Sequence, residues 1–358
     1  MSRAAGQTYA PLGARRPVVA AGDFPFAATA LDHGHIYGMC NGLTEAGAEL
    51  RYVYDTDPQK VAAFRQRFPA TLVAHSLGEI LGDPEIRLVA AAAVPDKRGP
   101  LGLSVMAAGK DYFTDKAPFT TLEQLGAARR KVAETGQKYL VYYAERLHAE
   151  CAVAAGELVQ SGAIGQVIQV LGLGPHRLGA AQRPPWFFER ARYGGILCDI
   201  GSHQVEQFLY YTGAQDAQLT MARTARHNPR YPELETFGEA SLVADNGASG
   251  YFRVDWLTPN GLSTWGDGRT FILGTEGYIE LRKYTDVGRD AQADNLYLVT
   301  REREQRLELS GKVGFPFFGQ LILDCLNRTE TAMSQQHAFK AAELCLKAQE
   351  LADREVAR

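Results

Sequence analysis

One segment in the middle of the chain combines several side chains that could transfer protons. The segment GGILCDIGSHQVEQFLYYTG spans residues 194–213 and reads as a helix with an ordinary apolar side, while its other side carries Asp199, His203, Glu206 and Tyr210. At about 100° per residue these four side chains fall within about 60° of arc. A histidine beside a carboxylate can orient and protonate a substrate oxygen, so this stripe predicts proton-transfer chemistry.

The alternative for the stripe is an ordinary solvated face, because an amphipathic helix needs a polar side whether or not it has a function. This face carries no lysine or arginine, which solvated helix faces usually have. It also follows Gly194 and Gly195, and glycines leave room for another group to come close. Both features favour a functional stripe.

A second candidate is Lys116, in the sequence Asp115-Lys116-Ala117-Pro118 that follows a predicted strand. In a doubly wound sheet, a lysine at a strand end points at the crevice where ligands bind. Burial and neighbouring charges can lower the pKa of a lysine until it acts as a general acid or base. The alternative is a solvated lysine at the end of a strand.

The turn after the first predicted strand is a degraded dinucleotide-binding turn. Its sequence ALDHGHIYG spans residues 30–38, with Ala30 and Asp32 where glycines are usual, while Gly34 and Gly38 remain. Glycines at these positions let the backbone approach a pyrophosphate and direct helix N–H groups at it. The motif alone also fits a plain strand–helix turn.

Asp55 supports the dinucleotide interpretation. It ends the second predicted strand, about 20 residues further on, where an acid should accept hydrogen bonds from the ribose hydroxyls of a dinucleotide. An acid there repels a 2′-phosphate, and no arginine or lysine follows before Lys60, so NAD is favoured over NADP. The alternative is a turn or helix N-cap residue in Asp55-Thr56-Asp57-Pro58.

The first half of the chain must position these groups. Strand-like and helical segments alternate from residue 24 to 147, with strands expected at 24–31, 49–55, 85–95, 111–116 and 137–146 and helices at 57–68, 101–110 and 121–136. This alternation predicts an α/β, Rossmann-type domain with a doubly wound parallel sheet. Residues 1–23 read as a flexible tail or an arm that packs on a neighbour.

The pattern changes in residues 148–316. A helix at 149–162 and a strand at 166–174 lead to the segment 194–213, and mostly strand-like runs follow at 218–226, 239–245, 249–258, 269–275, 277–283 and 295–302. We therefore expect an α+β domain with a large, mostly antiparallel open sheet that helices cover on one face. Residues 317–358 return to a helical pattern.

Composition excludes several function classes. The 358 residues are 46% hydrophobic and 22% charged, with a net charge of −3, which gives no electrostatic argument for nucleic acid or a membrane surface. No segment has the length and apolarity of a membrane span. Arg15-Arg16 precede an apolar run too short for an export signal.

The five cysteines lie far apart without a CxxC pair, which predicts reduced thiols in the cytoplasm.

From about residue 24 to 352, the chain resembles the Gfo/Idh/MocA family of NAD(P)-dependent oxidoreductases, which includes glucose–fructose oxidoreductases and inositol dehydrogenases. Four features carry the resemblance in order: the βαβ start, Asp115-Lys116 for the family's Glu-Lys-Pro, SGAIGQV at 161–167, and Gly194-Gly195…Asp199-x-Gly201-x-His203-x-x-Glu206 for GG…DxGxHxxD. Two departures are Ala117 in place of the usual proline and Arg98, in VPDKR, where a histidine is common.

The resemblance implies hydride transfer between the C4 atom of a nicotinamide and a carbinol or carbonyl carbon of a sugar, cyclitol or sugar acid. The catalytic residues would be Lys116, His203 and Asp199, with the stripe as the floor of the active site and the terminal helix packing back onto the first domain. The expected cofactor contacts lie in the first turn and at strand ends: Leu31, Asp32, His33, Gly34, His35, Ile36, Asp55, Pro95, Arg98, Asp115, Lys116 and Glu145.

The loop before the stripe supplies candidate substrate contacts. The loop at 174–195, GPHRLGAAQRPPWFFERARYGG, is rich in arginine and could close on a polar substrate, with Trp186 stacking on a ring face. Together with the stripe it gives the expected substrate contacts: His176, Arg177, Trp186, His203 and Glu206. The alternative is a surface loop whose arginines pair with nearby acids.

Two other functions stay open. His176, Asp199 and His203 could converge on a metal, since three such ligands suit zinc with one open position. The chain could also be a dinucleotide-binding regulator that performs no chemistry, although a sensor needs neither Lys116 nor His203. An open sheet face with strands such as SGYFRVDWLT would be costly to leave in water, so we expect a homodimer or homotetramer.

Overall fold

The computed structural model describes residues 6–289 and 291–356. The chain divides into two compact units. The N-terminal unit holds residues 7–142 and 315–339, and the C-terminal unit holds residues 143–314 with 6 and 340–356. Of the predicted terminal segment 317–358, residues 317–339 belong to the N-terminal unit and the described residues 340–356 belong to the C-terminal unit.

The described residues form short strands and helices. The strands are β1 (Pro25–Thr29), β2 (Glu49–Tyr54), β3 (Leu72–Val73), β4 (Leu88–Ala91), β5 (Asp111–Asp115), β6 (Tyr139–Tyr142), β7 (Val167–Pro175), β8 (Ala217–Ala225), β9 (Phe237–Ala244), β10 (Ser249–Asp255), β11 (Arg269–Gly274), β12 (Gly277–Arg282), β13 (Asn295–Thr300) and β14 (Glu304–Glu308). The helices are α1 (His35–Glu45), α2 (Pro58–Arg67), α3 (Leu77–Gly82), α4 (Pro95–Ala107), α5 (Leu122–Thr135), α6 (Ala144–Leu147), α7 (Glu150–Gln160), α8 (Arg190–Tyr193), α9 (Ile196–Asp199), α10 (Gly201–Thr212), α11 (Pro316–Asn327) and α12 (Gln335–Val356).

The N-terminal unit contains the predicted doubly wound sheet. Among the described residues its strand order is β3-β2-β1-β4-β5-β6, and neighbouring strands run parallel. Every residue of β1, β4, β5 and β6 is buried, as expected for strands covered on both faces. The strand order reverses between β1 and β4, which is where ligands bind in this architecture.

Local signals placed several helix ends correctly. The Asp57 side chain accepts the Gln59 N–H at the start of α2, and Thr121 accepts the Gln124 N–H at the start of α5. Gly136 ends α5 in the left-handed region with φ of 67°, which glycine adopts without steric cost.

Other predicted ends were wrong. The helix expected at 101–110 begins at Pro95, whose fixed φ suits a first helical turn. The strand expected to reach residue 95 therefore ends at Ala91. The strand expected at 137–146 ends at Tyr142, and residues 144–147 are helical instead.

Part of the N-terminal segment packs on the N-terminal unit. The Gly13 N–H donates to both Glu45 carboxylate oxygens, at 3.0 and 2.9 Å, and the Val18 N–H donates to the Ala46 carbonyl at 2.9 Å. These hydrogen bonds tie residues 13 and 18 to the end of α1, whereas a flexible tail was expected for residues 1–23. Residues 1–5 of that expected tail lie outside the described part of the chain.

The C-terminal unit contains the expected open sheet. Within the described residues its order is β14-β13-β12-β11-β7-β10-β9-β8, and only β7 and β10 pair in parallel. Helix α10 packs on β7, where a Cβ added at Gly172 would lie 2.3 Å from Gln204 Oε1. This contact holds the helix that carries the polar stripe. Among the described helices, none combines the length and apolarity needed to cross a membrane.

Candidate functional site

The turn after β1 has the backbone of a dinucleotide turn without its first glycine. Ala30 adopts a left-handed conformation with φ of 51°, which explains why glycine is usual at this position. The Asp55 carboxylate accepts the Leu31 N–H at 2.7 Å and the Asp57 N–H at 2.9 Å. Asp55 therefore ties the turn to the end of β2 and is also the turn residue that the alternative interpretation predicted.

Gly34 and Asp32 have protein partners in this turn. A Cβ at Gly34 would lie 2.1 Å from the Gln7 carbonyl oxygen, so glycine here admits the chain's own N-terminal segment. Asp32 Oδ1 lies 2.5 Å from Lys60 Nζ, and Asp32 Oδ2 accepts the Val94 N–H at 3.3 Å. Of the other expected cofactor contacts nearby, Ile36 and Pro95 are buried in the first turns of α1 and α4.

Two histidines of the turn meet the aspartate before Lys116. Asp115 Oδ1 lies 2.8 Å from His35 Nδ1 and also accepts the Lys116 N–H at 2.8 Å, and Asp115 Oδ2 lies 3.2 Å from His33 Nδ1. Although burial opposes it, the charges of His35, Arg98 and His33 hold the pKa of Asp115 well below its ordinary value. Burial, and then the charge of His35, lowers the pKa of His33 well below its ordinary value. The dinucleotide turn is therefore connected to the segment that carries Lys116.

Among the described residues, His33, His35 and Asp115 are the one group of three such donors with ligand atoms within 4.8 Å of one another. Arg98 Nη2 lies 3.0 Å from Asp115 Oδ2, so a metal ion would have to share this carboxylate with a buried guanidinium. This charge arrangement favours a hydrogen-bonded cluster over a metal centre. The alternative trio of His176, Asp199 and His203 forms no such group in the described chain, so the structure does not support it.

Arg98 holds the backbone around Lys116. It is 1% exposed, and its Nε donates to the Ala93 carbonyl at 2.7 Å. Its Nη1 donates to the Lys116 carbonyl, and to the Ala117 carbonyl at 3.1 Å. The Lys116–Ala117 peptide bond is cis, and Lys116 is buried. These contacts make Arg98 a support of the lysine segment, and its expected contact with the cofactor stays a prediction.

In the C-terminal unit, the glycine pair before the stripe makes room for a residue of α12. Gly194 and Gly195 have φ of 88° and 99°, and a Cβ at Gly195 would lie 2.2 Å from Gln349 Oε1. Gln349 Oε1 accepts the Leu197 N–H at 3.2 Å, and Glu235 Oε2 accepts the Ile196 N–H at 2.9 Å. The close approach expected at these glycines is thus made by the protein itself.

Half of the stripe belongs to a buried ion pair. Glu206 is 0% exposed, and its Oε1 accepts from Arg146 Nε at 2.7 Å and lies 2.5 Å from Arg146 Nη2. The Arg146 guanidinium carbon lies 3.8 Å from the centre of the Tyr210 ring. The expected substrate contact Glu206 therefore has a structural partner that sequence spacing did not reveal.

The other half of the stripe is Asp199 and His203, both buried. Burial lowers the pKa of Arg183 to about 10, and the charge of Asp199 opposes this change. Arg183 lies over the rings of Phe187 and Trp256, at 4.3 and 4.8 Å. The loop at 174–195 thus contributes a buried cation beside the stripe.

Of the expected substrate contacts in this loop, Arg177 and Trp186 contact other parts of the protein, whereas His176 lies near the Glu145 carboxylate. Arg177 Nη2 donates to the carbonyls of Pro259 and Leu262, at 3.2 and 2.9 Å, and so fixes that part of the chain. Trp186 is buried beside Phe187, with ring centres 6.0 Å apart. His176 has a different setting, because its Nε2 lies 3.8 Å from Glu145 Oε1.

Glu145, expected beside the cofactor, forms a buried cluster with residues of the C-terminal unit. Its Oε2 accepts from Gln204 Nε2 at 2.9 Å and from Lys283 Nζ at 3.1 Å, and Lys283 Nζ also donates to Gln207 Oε1 at 2.7 Å. Although burial opposes it, the charges of Lys283, His203 and His176 hold the pKa of Glu145 at about 2.

Sequence analysis missed Lys283, although one signal was present. Ile279 and Leu281 are buried on β12, and side chains two residues apart share a face of a strand. That alternation predicts Lys283 on the buried face, where a lysine needs an acid as its partner.

Two family models match the chain. A Gfo/Idh/MocA C-terminal domain model matches residues 152–280. A model of an oxidoreductase family with an NAD-binding Rossmann fold, Gfo/Idh/MocA, matches residues 33–143.

Relatives named as dehydrogenases match part of the chain. The scyllo-inositol 2-dehydrogenase (NAD(+)) of Bacillus subtilis (strain 168) is 29% identical over 206 residues, which is 56% of each chain. The D-xylose dehydrogenase of Paenarthrobacter nicotinovorans is 26% identical over 191 residues, covering 52% of this chain and 47% of the relative. The chain thus spans about half the length of these curated relatives.

Solved structures match nearly the whole chain. A protein of Erwinia carotovora atroseptica SCRI1043 described as an oxidoreductase has 52% identity and a TM-score of 0.89, covering 92% of this chain and 98% of that one. A levoglucosan dehydrogenase in complex with NADH and levoglucosan shares the fold, with a TM-score of 0.76 at 18% identity, covering 93% of this chain and 98% of that one.

Proposed function

Because the chain belongs to the Gfo/Idh/MocA family of oxidoreductases, we propose that it is an NAD-dependent dehydrogenase of a sugar, cyclitol or related polyol. The observation that carries this proposal is the buried Lys116, whose N–H and neighbouring carbonyls are held by Asp115 and Arg98 at the end of β5. A solvated strand-end lysine would need no such support. The dehydrogenase names of the relatives from Bacillus subtilis and Paenarthrobacter nicotinovorans agree with this reaction.

The residues of the N-terminal unit fit NAD. Helix α1 begins at His35, at the end of the turn that opens with the left-handed Ala30, where the strand order reverses between β1 and β4, and a helix N-terminus attracts a pyrophosphate. The Asp55 carboxylate stands at the end of β2 to accept ribose hydroxyls. Its charge, with that of Asp32 beside Lys60, disfavours the 2′-phosphate of NADP. Bound NAD supplies the redox step by accepting a hydride.

Proton transfer is assigned to Lys116 and His203, which match the family's lysine and histidine. A substrate hydroxyl must lose its proton as its carbinol carbon loses a hydride, and a positioned lysine or histidine can accept that proton. Asp199 is assigned to balancing positive charge beside the stripe. Its charge raises the pKa of Arg183 against the effect of burial, which agrees with this role.

We propose that the chain forms a homo-oligomer through the open face of the C-terminal sheet. Leu171 has Tyr251 and Phe271 as its cross-strand neighbours, and Leu273 pairs with Tyr278 on the adjoining strands. Leu273 is 45% exposed and Tyr278 is 44% exposed, so a second copy would bury apolar area here. Light scattering of the purified protein should give a dimer or tetramer, and a monomeric mass would contradict the proposal.

We propose that the protein is cytoplasmic, because its five cysteines are free thiols and all are buried. Thiols that stay reduced are typical of that compartment.

Turnover with a panel of polyols and sugars tests the function. NADH formation should occur with NAD and at least one polyol, should be slower with NADP, and should fall by about a hundredfold or more in Lys116→Met. Binding of NADH without turnover of any panel member would favour the non-catalytic regulator instead.

A further inference from the structure

A histidine of the expected cofactor turn reaches the aspartate that precedes Lys116. His35 is the first residue of α1, and its Nδ1 lies 2.8 Å from Asp115 Oδ1 at the end of β5. The two residues are 80 positions apart in the chain. In the sheet, β4 lies between β1 and β5. The contact between His35 and Asp115 therefore connects two segments whose strands are not neighbours.

This contact fixes where the His35 imidazole carries its proton. Asp115 is 0% exposed. Although burial opposes it, the charges of His35, Arg98 and His33 hold the pKa of Asp115 well below its ordinary value, so the carboxyl group is ionised at neutral pH. An ionised carboxylate only accepts hydrogen bonds. Nδ1 of His35 must therefore be the donor, whether the ring carries one proton or two.

The backbone of Lys116 is bound to the same carboxylate oxygen. Asp115 Oδ1 accepts the Lys116 N–H at 2.8 Å as well as the hydrogen bond from His35. Asp115 Oδ2 lies 3.0 Å from Arg98 Nη2. A carboxylate with donors on both oxygens is held in one orientation. His35 thus helps to fix the acceptor that holds the backbone of Lys116.

Packing holds the His35 ring itself. The ring centre lies 5.8 Å from that of Tyr142, in an edge-to-face arrangement. Helix α1 comes close to Tyr142, because a Cβ at Gly38 would lie 2.8 Å from the Tyr142 hydroxyl oxygen. A side chain whose own position is set by packing can orient the group that it binds. His35 therefore has the surroundings of a positioning residue.

The neighbouring His33 is less suited to this role. Its Nδ1 lies 3.2 Å from Asp115 Oδ2 and also 3.3 Å from the backbone nitrogen of His35. Burial, and then the charge of His35, lowers the pKa of His33, so its ring is neutral at neutral pH. One neutral nitrogen either donates to Asp115 or accepts the His35 N–H. The firmer hydrogen bond to Asp115 is that of His35.

We propose that His35 is a positioning residue for Lys116, and that it acts by donating a hydrogen bond from Nδ1 to Asp115 Oδ1. This inference rests on the proposed dehydrogenase function, in which Lys116 transfers a proton. It adds a link between the expected cofactor turn and that lysine. The expected contact of His35 with the cofactor stays a separate prediction, which an NADH titration tests.

The test compares His35→Leu with His35→Asn, two side chains of nearly the same shape that differ in the donor. The asparagine Nδ2 can donate from about the position of the histidine Nδ1. In His35→Leu, kcat should fall about tenfold or more, because small misplacements of a reacting group are costly, while the polyol KM changes by less than about threefold. His35→Asn should keep kcat within about threefold of the wild-type value.

His75→Leu is the matched control, because it makes the same chemical change at an exposed position of the N-terminal unit. It should behave as wild type. Equal losses of kcat in His35→Leu and His35→Asn would show that the donor is not what matters and would overturn the proposal. An unchanged kcat in His35→Leu would also overturn it. A weakened NADH Kd with unchanged kcat in both variants would assign the side chain to the cofactor instead.

A double variant tests whether His35 acts through Asp115. In an Asp115→Ala background, His35→Leu should change kcat by less than about threefold, because the connection is already lost. A further loss of about tenfold in that background would mean that His35 acts by another route. That result would overturn the proposed mechanism.

Histidine NMR tests the hydrogen bond in the wild-type protein, and so does not depend on the folding of His35→Leu. The protein is labelled with nitrogen-15 in its histidines, and the His35 signals are those that disappear in His35→Asn. The spectrum should show a proton on Nδ1 of His35. A His35 ring with its proton on Nε2 alone would overturn the proposal, because it could not donate to Asp115.

Chemical labelling of Lys116 separates this inference from the proposed function. Formaldehyde with cyanoborohydride methylates lysine amines, and peptide mass spectrometry gives the extent at Lys116, which is buried. Methylation should be about threefold or more faster in His35→Leu, because a loosened segment opens more often, and should keep the wild-type rate in His35→Asn. These labelling results without turnover of any polyol would refute the dehydrogenase function and retain the role of His35. Wild-type turnover, with kcat and labelling both unchanged in His35→Leu, would do the reverse.

Discussion

Arg98 Nη2 lies 3.0 Å from Asp115 Oδ2, and the same guanidinium donates to the carbonyls of Lys116 and Ala117. Asp115 in turn accepts the Lys116 N–H. A planar fork of donors can hold several acceptors at fixed positions, which a lysine ammonium cannot do. Arg98 is therefore a positioning residue for Lys116.

Arg98→Lys should retain the charge and lose the positioning. We expect kcat to fall about tenfold or more, because small misplacements of a reacting group are costly, while the Kd of NADH changes little. Steady-state kinetics and an NADH titration measure the two effects. Lys97→Met, at the exposed neighbouring position, is the control and should behave as wild type. An equal loss of NADH affinity in Arg98→Lys would show that Arg98 contacts the cofactor.

Asp55→Ala should weaken NADH binding about tenfold to a hundredfold, because it removes the acceptor proposed for the ribose hydroxyls. Asp57→Ala is the matched control. Asp57 caps α2 through the Gln59 N–H, so its loss should cost about 1 kcal/mol of unfolding free energy and leave the NADH Kd unchanged. Fluorescence titration and urea denaturation of both variants give the comparison. Equal NADH affinities in the two variants would remove Asp55 from the cofactor site.

Glu206→Gln should act on stability and not on substrate affinity. It leaves the buried Arg146 guanidinium uncompensated, and breaking such a pair typically costs about 3–5 kcal/mol. Urea denaturation should show this loss, while the polyol KM stays within about twofold. The double variant Glu206→Gln/Arg146→Met should recover much of the stability, because both charges are gone. A raised KM without destabilisation would restore Glu206 as a substrate contact.

Glu145 should make stability depend on pH in a defined window. The folded-state pKa of about 2 lies below the ordinary glutamate value of about 4.3, so the unfolded chain binds the proton first as the pH falls. The stabilisation is complete above about pH 5 and is lost below the unfolded-state pKa, by about 2 kcal/mol between pH 6 and pH 3. The stability difference between wild type and Glu145→Gln should shrink by this amount. A stability difference that stays constant between about pH 6 and pH 3 would contradict the assignment.

The sequence predicted the elements of this fold better than the partners of its polar residues. The caps at Asp57 and Thr121 are local signals, and the structure has both. Alternation of strands and helices predicted the parallel sheet of the N-terminal unit. Each of these features depends on residues that are near one another in the chain.

The polar partners depend on distant residues. Glu145 meets Lys283 across 138 positions, and Glu206 meets Arg146 across 60. Helical spacing placed Glu206 correctly on the stripe, but no local pattern showed that a guanidinium would occupy it. The glycine pair correctly indicated a close approach, but the group that approaches Gly195 is the side chain of Gln349. The start of α4 at Pro95 could have been predicted from proline's preference for the first helical turn.

Transfer of deuterium tests the central claim most directly. The polyol that the panel turns over fastest is prepared with deuterium on its carbinol carbons, and the reduced cofactor is analysed by mass spectrometry and NMR. Hydride transfer predicts deuterium at C4 of the nicotinamide with the wild-type protein, and none above background with Lys116→Met/His203→Asn. NADH that carries no deuterium, or the absence of NADH with every polyol despite tight NAD binding, would contradict the account.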